Sequence, residues 1–451
     1  MVMGRRREQQ GELWVATQQL PNSPGHPFYR KLNELLAAAG FDAFVEESCQ
    51  PYYAQHHGRP SIPPGVYFRM LLVGYFEGLD SQRGIAWRCS DSRSLQEFLG
   101  YLPTQTTPDH SSLTVIRQRL PEVLHEEVFA WVLRLADAKG LLRGKTVATD
   151  ATFLEANAAM KCIQRKDTGE DYKAYLRRLA QEAGIAEPTD EDLRRFDRNR
   201  PNKKVSNDEW ESPTDQDSRI MKMKDGTTHL AYKAEHVVDL GSNLILAAEV
   251  YHANDGDAET LVPSVASAQI NLVRAGSEQI IEEAVADKGY HKAATLATCE
   301  RIGLRTYIPE PKHRWRRTWQ DKPAAQQRAF RANRRRVQGA RSKRLQRRRS
   351  EYVERTFAHT CETGGGRRSW LRGLIKVSKR YLMQAMAHNL GVLMRKLFGI
   401  GTPRGLQGPG RALAPYWTLL ISLWVIPTTW MPHWLNRWRH TILPAATYHA
   451  A

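Results

Sequence analysis

Apolar residues recur at three- and four-residue intervals through the first third of the chain. The segments HPFYRKLNELLAAAGF, PPGVYFRMLLVGYFEGL and PEVLHEEVFAWVLRLADAKG predict amphipathic helices between residues 27 and 140. The first two close near Gly and the second opens with Pro, as helix boundaries prefer. Shorter helices are expected in DSQRGIAWRCSDSRSLQEFLG and TPDHSSLTVIRQRL, the latter capped by Asp109 and displaying Arg117 and Arg119.

After Gly144 the pattern changes. KTVATDAT is a short β-branched run that ends in a carboxylate. A polar, charged stretch follows from residue 161 to 224, with one helix in KDTGEDYKAYLRRLAQEAG and the rest read as an insertion or mobile loop. HLAYKAEHVVDLGSNLILAAEVYHAND then predicts two strands around a Gly-Ser-Asn turn. AETLVPSVASAQINL reads as a helix, QIIEEAVADKGY as a strand ending in Asp287, KAATLATCERIG as a helix and LRTYIPEP as a short strand. RRRSEYVERTFAHT and SWLRGLIKVSKRYLMQAMAHNLGVLMRKLF are helical in pattern. The order strand, strand, strand, helix, strand, helix, strand, helix implies an α/β layer: a mixed sheet flanked by helices, preceded by a helical N-terminal domain.

Charge sharpens this picture. The 451 residues carry a formal charge of +18, yet residues 312–349 hold 16 Lys and Arg against the single acid Asp321, leaving the rest nearly neutral. Basic charge concentrated in one Arg-rich segment points to a surface that tracks phosphates, with a solvated basic loop as the plainer reading. The five cysteines form no CxxC pair and no zinc spacing, which fits a reducing compartment, and the basic N-terminus lacks the apolar stretch of a signal peptide. Residues 412–436 carry no formal charge, and five of the twelve Trp lie beyond residue 400. Pro415, Pro427 and Pro432 interrupt that tail, so a membrane span of about 20 continuous apolar residues is not expected.

Three carboxylates stand out: Asp150 and Asp287 at the ends of apolar strands, and Glu354 in a helix whose Tyr352, Val353 and Phe357 form a buried side. Each alone has an ordinary explanation. Asp150 is placed to cap a turn, Asp287 to pair with Lys288, and Glu354 to pair with Arg355 or Arg349. Together they suggest a cluster that resists ionisation unless cations neutralise it. All-oxygen sites suit Mg²⁺ or Mn²⁺, and two such ions about 4 Å apart support phosphodiester hydrolysis or transfer. Asp255 and Asp257 in HANDGDAET compete with Asp287 but read as a turn and a helix N-cap. His229, His236 and His252 read as core or surface residues, whereas His291 is placed to approach a substrate phosphate.

From about residue 58 to 398 the chain resembles the DDE transposases of bacterial insertion sequences, in the group related to the "IS four" and "IS five" families. The resemblance rests on HGRPSIPPGVYFRMLLVGYFEGLDSQRGIAWRC, DHSSLTVIRQRL, TDATFLEAN, HLAYKAEHVVD, ADKGYHK and VERTFAHTCETGGGRRSWLRGLIKVSKRYL, in that order. It implies an RNase H-like catalytic core over residues 141–400, a helical DNA-binding and assembly domain over 1–140, and leaves 401–451 as a Trp-rich apolar tail. It also implies that Asp150, Asp287 and Glu354 are the catalytic, metal-holding triad for two Mg²⁺ or Mn²⁺ ions, with Asp150 shared between them. The separations, 137 and 67 residues, accommodate the insertion after the first strand.

DNA is then the expected partner, both the terminal inverted repeats and the target. A homodimer or larger synaptic assembly in the bacterial cytoplasm, at the nucleoid, is expected, and no membrane. Arg334, Arg335, Arg336, Arg344, Arg347, Arg348, Arg349 and Arg355 are the expected DNA contacts. The chain departs from the Tyr-x2-Arg-x3-Glu-x6-Lys signature of many relatives: Arg347, Ser350 and Cys361 stand at its Tyr, Arg and Lys positions. Arg349, Arg355 and Lys376 are the candidates to supply the missing charge. A DNA-binding remnant without turnover and a stand-alone nuclease of the same fold are the alternatives.

Overall fold

A computed structural model describes residues 25–54, 58, 61–201, 205–223, 226–312, 319 and 322–406. The first helical stretch forms α1 (Pro27–Ala38), α2 (Phe41–Cys49), α3 (Pro64–Glu77), α4 (Gln82–Asp91), α5 (Arg93–Phe98), α6 (His110–Arg119) and α7 (Glu122–Ala138). Helix α3 is buried almost all round, and its one charged member in that interior, Arg69, is matched by Asp42 at 2.5 and 2.8 Å and by Asn33 at 3.1 Å. Asp109 caps α6 as expected, accepting from the Ser111 N–H at 2.9 Å.

Six strands form the central sheet. β1 (Thr146–Glu155) pairs antiparallel with β5 (Thr228–Asp239), which pairs in turn with β4 (Arg219–Lys222) and then β6 (Ile245–His252) along its other edge. On its opposite side β1 runs parallel to β7 (Glu283–Val285), and β7 runs parallel to β8 (Arg305–Tyr307). Asn243, at φ 66°, takes the left-handed position of the turn between β5 and β6, which asparagine tolerates. This is the mixed sheet with flanking helices of an RNase H-like core.

Helices cover both faces. α10 (Asp257–Arg274) lies on one, where Asn271 Nδ2 donates to the Leu246 carbonyl at 3.0 Å. α13 (Ala340–Phe357) and α14 (Leu374–Phe398) lie on the other. Asn389 of α14 bonds both backbone groups of Ile245, and α14 also packs on α3 and α7. The described residues from 25 to 403 therefore make one compact unit, and the change of texture near residue 140 marks no gap in their packing. α11 (Ala293–Arg301) and α12 (Ala324–Gln338) pack on each other and on β8.

The stretch from 161 to 224, expected to hold one helix within an insertion or mobile loop, has a small core of its own among its described residues. α8 (Tyr172–Glu182) and α9 (Asp190–Asn199) bury Leu176, Ala180 and Leu193 beneath Tyr172, Tyr175 and Phe196. β2 (Gln164–Arg165) and β3 (Trp210–Glu211) add an antiparallel pair whose Trp210 ring meets Tyr172 and Tyr175 edge-on. KDTGEDYKAYLRRLAQEAG forms α8 as expected, and the sparse apolar residues after it suffice for a second helix and one helix–helix seam. Among the described residues no helix is long and apolar enough to cross a membrane, and the Trp-rich tail from residue 407 onward lies outside them.

Candidate active site

β1 does not stop at Asp150, as the sequence suggested, but runs on to Glu155, so the carboxylate sits mid-strand. Its direct neighbour on β5 is His236, and paired residues share a face. That face is covered by α13: Arg349 Nη1 donates to Asp150 Oδ2 at 2.5 Å, and Thr356 Oγ1 lies 2.8 Å from His236 Nδ1. The parallel register of β1 on β7 ends at Ala148↔Val285. Asp287 follows two residues beyond that ladder, near enough for its charge to act on Asp150. Burial pushes the Asp150 carboxyl upward and the nearby Asp287 charge adds to this, while Arg349 opposes both, for a net rise.

Asp287 is half-buried and begins a single tight turn, Lys288–Tyr290. Its Oδ1 accepts the Gly289 N–H at 2.7 Å. A side chain at Gly289 would place a Cβ 2.7 Å from Asp257 Oδ2 and 3.0 Å from Asp287 Oδ1, so these two carboxylates would have to give way. Glu354 is exposed on α13, five residues past Arg349, and its carboxylate has no ion-pair partner among the described residues. Thus Asp150 and Asp287 are brought together, whereas Glu354 does not join them: no group of three or more His, Cys, Asp or Glu among the described residues is arranged to hold a metal.

The ordinary explanations for these residues fare differently. Arg355 pairs with Glu351 at 2.6 Å and Arg349 with Asp150, so neither serves Glu354. Gly256, not an aspartate, occupies the N-cap position of α10; Asp257 and Glu259 lie in its first turn, where the helix dipole favours them. His291 is buried with its ring edge-on to Phe330 at 5.4 Å, so it is not placed to meet a phosphate in solution.

His236 is a core residue, stacked on Phe357 at 4.2 Å. Thr356 spends its proton on the Val353 carbonyl, so Nδ1–H of His236 donates to Thr356 and Nε2 accepts from the Tyr381 hydroxyl at 2.8 Å. Burial lowers this imidazole to about 3, and burial lowers His125 of α7 to about 4. A folded-state value below the unfolded one stabilises above about pH 6.5 and is lost as pH falls toward 4. Together the two histidines are expected to remove roughly 3 kcal/mol of stability per pH unit across that window. Unfolding free energies from denaturant titrations at pH 7 and pH 5 check this; a slope that His236→Gln leaves unaltered refutes the role given to His236.

The Arg-rich segment is two helices. Arg335, Arg344 and Arg347 are exposed. Arg334 forms a two-pronged pair with Glu310 at 2.6 and 2.7 Å, Arg336 donates to the Thr306 carbonyl, and Arg348 donates to the Leu240 carbonyl. Arg336, Arg348 and Arg349 thus hold α12 and α13 onto the sheet, a role the charge count did not suggest. Arg328, Arg331, Arg334 and Arg335 line one shallow recess on α12, which extends the exposed cationic surface. Residues 313–318, 320 and 321 of that segment lie outside the described residues.

Two family models match the chain, one described as Transposase domain (DUF772) over residues 16–119 and the other as Transposase DDE domain over residues 277–394. Both models describe transposase domains, and together they support an insertion-sequence DDE transposase. No curated protein matches the chain. The helical match covers α1 to α6, and the DDE match takes in Asp287, Arg349, Glu354 and most of α14. Asp150 and the insertion lie between the two matches. Lys233 and Glu235 of β5, which the sequence reading passed over, are buried charges beside the Asp287 turn. Their signal was a pair of charges two positions apart, and so on one face, within the AYKAEHVV run of β5.

Proposed function

We propose that this transposase cuts DNA at the ends of its insertion sequence and joins the freed 3′-hydroxyl to target DNA. Asp150 and Asp287 hold divalent metal and Glu354 completes the set when DNA and metal are bound. The observation that carries this reading is the Asp150–Asp287 pair, two neighbouring carboxylates with one cationic side chain, Arg349, between them and neutrality. Hard carboxylate oxygens without sulfur or imidazole fit Mg²⁺ or Mn²⁺. Bound there, such ions supply a polarised attacking oxygen and charge stabilisation at the scissile phosphate. Arg349 holds the Asp150 carboxylate in place until then and is positioned to turn to the phosphate once released from it. The helical N-terminal region and the Arg face of α12 and α13 bind the ends, and two ends in one synapse require at least a dimer.

The deciding experiment is cleavage and joining of a DNA fragment bearing the element's ends, with Mg²⁺ or with EDTA. Metal-dependent nicking followed by joined product supports the proposal. Nicking without joining points to a nuclease, and binding without nicking to a regulator.

The exposed arginines carry a separate expectation. Arg335→Ala, Arg344→Ala and Arg347→Ala combined should weaken binding to specific and unrelated DNA alike, by about ten- to a hundredfold at 0.1 M salt. The plot of log affinity against log salt should become shallower by about 2 to 3, because each phosphate contact contributes roughly 0.9 to the slope. An unchanged slope in a filter-binding salt series would exclude these three from the DNA path.

A further inference from the structure

The last residue of the β7 ladder is Val285, so the backbone of Asp287 is already outside the sheet and no strand pairing fixes it. Gln346 of α13 holds the Ala286 carbonyl just before it, at 3.1 Å, and the hold on the other side of Asp287 lies three residues on. Tyr290 is fully buried and donates its hydroxyl proton to Glu235 Oε2 at 3.0 Å. The same oxygen accepts from Thr260 Oγ1 of α10 at 2.7 Å. Lys233 Nζ, two residues before Glu235 on the same face of β5, donates to Thr260 Oγ1 at 2.9 Å, Asp257 Oδ1 at 3.0 Å and the Asp255 carbonyl at 3.0 Å. Sheet, helix N-terminus and turn are thereby joined by one buried polar network directly behind Asp287.

We propose that Tyr290 and Glu235 are positioning residues for metal binding: they pin the Lys288–Tyr290 turn and so aim the Asp287 carboxylate at Asp150. This rests on the reading of Asp287 as a metal ligand. The turn is short enough to transmit the constraint. The Asp287 carboxylate is tied to Gly289, Asp257 leaves little room for anything larger than glycine there, and Tyr290 is bonded to Glu235. Losing the hydroxyl frees the C-terminal end of that turn without removing the ring that fills the core.

The test uses the full chain and Mn²⁺ as the probe, with binding followed by the loss of the free-ion EPR signal in the absence of DNA. Tyr290→Phe is expected to weaken Mn²⁺ binding about tenfold, the range in which residues behind metal ligands act. It should raise by a similar factor the Mg²⁺ concentration that gives half-maximal cleavage, with DNA affinity in EDTA unchanged. Glu235→Gln, which keeps an acceptor for the tyrosine, should retain most of the binding, and Glu235→Leu should behave like Tyr290→Phe. Folded Tyr290→Phe and Glu235→Leu proteins that bind Mn²⁺ within twofold of the parent overturn the proposal. Asp287→Asn separates the two layers. If it abolishes Mn²⁺ binding while Tyr290→Phe does not alter it, only the positioning role fails; if it too is without effect, the metal reading of Asp287 fails and the positioning role with it.

Discussion

Asp150→Asn should lower the rate of end cleavage by about three orders of magnitude or more while leaving end binding in EDTA within about threefold. The substitution keeps the size of the side chain and the Ala151 N–H contact but removes the charge that cations must neutralise. It also removes the ion pair with Arg349, which joins β1 to α13. Because the Asp150 side chain is 26 % exposed, that pair is expected to add only about 1 kcal/mol of stability, so the variant should fold. Asp287→Asn and Glu354→Gln should lose cleavage on the same scale. Glu354 is the sharper test, since it stands exposed and apart from the two aspartates. If Glu354→Gln cleaves at the parent rate, the third ligand is another group. Single-turnover cleavage of a labelled end, run beside a gel-shift titration, separates the chemical effect from binding.

Lys233→Met should be among the most damaging single changes to the fold, lowering unfolding free energy by about 3–5 kcal/mol. Lys233 is 1 % exposed and its three hydrogen bonds are all inside the protein. Deleting the ammonium leaves Glu235, 0 % exposed, without the cation 3.6 Å from its Oε2, and leaves Thr260 and the Asp255 carbonyl without their donor. The methionine fills nearly the same volume, so the loss reports the charge and its hydrogen bonds, not a cavity. Urea unfolding of the single variant and of Lys233→Met combined with Glu235→Gln measures this. The second change should restore part of the loss, because it removes the stranded carboxylate. A loss under about 1 kcal/mol in the single variant would mean that water or a rearranged neighbour replaces Lys233.

Much of this protein was legible along the chain because local rules set it. The three- and four-residue apolar spacing located α1, α3, α7 and α14, and the β-branched runs with their Gly-Ser-Asn turn located β5 and β6. Asp109 as a cap followed from immediate neighbours, whereas the sequence left His236 open as a core or surface residue. The order of elements gave the α/β layer, since a strand–helix alternation packs in few ways.

Tertiary structure decided the rest, because it depended on partners distant in sequence. That Asp150 lies within β1 follows from β5 pairing along its whole length, a contact between residues some eighty positions apart. Between residues 161 and 224 only α8 was legible, because the apolar positions after it are sparse; α9 buries Leu193 only against α8, and Trp210 from beyond both closes on Tyr172 and Tyr175. Arg336, Arg348 and Arg349 were counted as DNA contacts from charge alone, and only the packing of α12 and α13 turned them inward to carbonyls and to Asp150. Lys233 and Glu235 were invisible as a pair with α10 and the Asp287 turn. A buried charge reveals its purpose only when the groups that neutralise it, here Thr260, Asp257 and Tyr290, are folded against it.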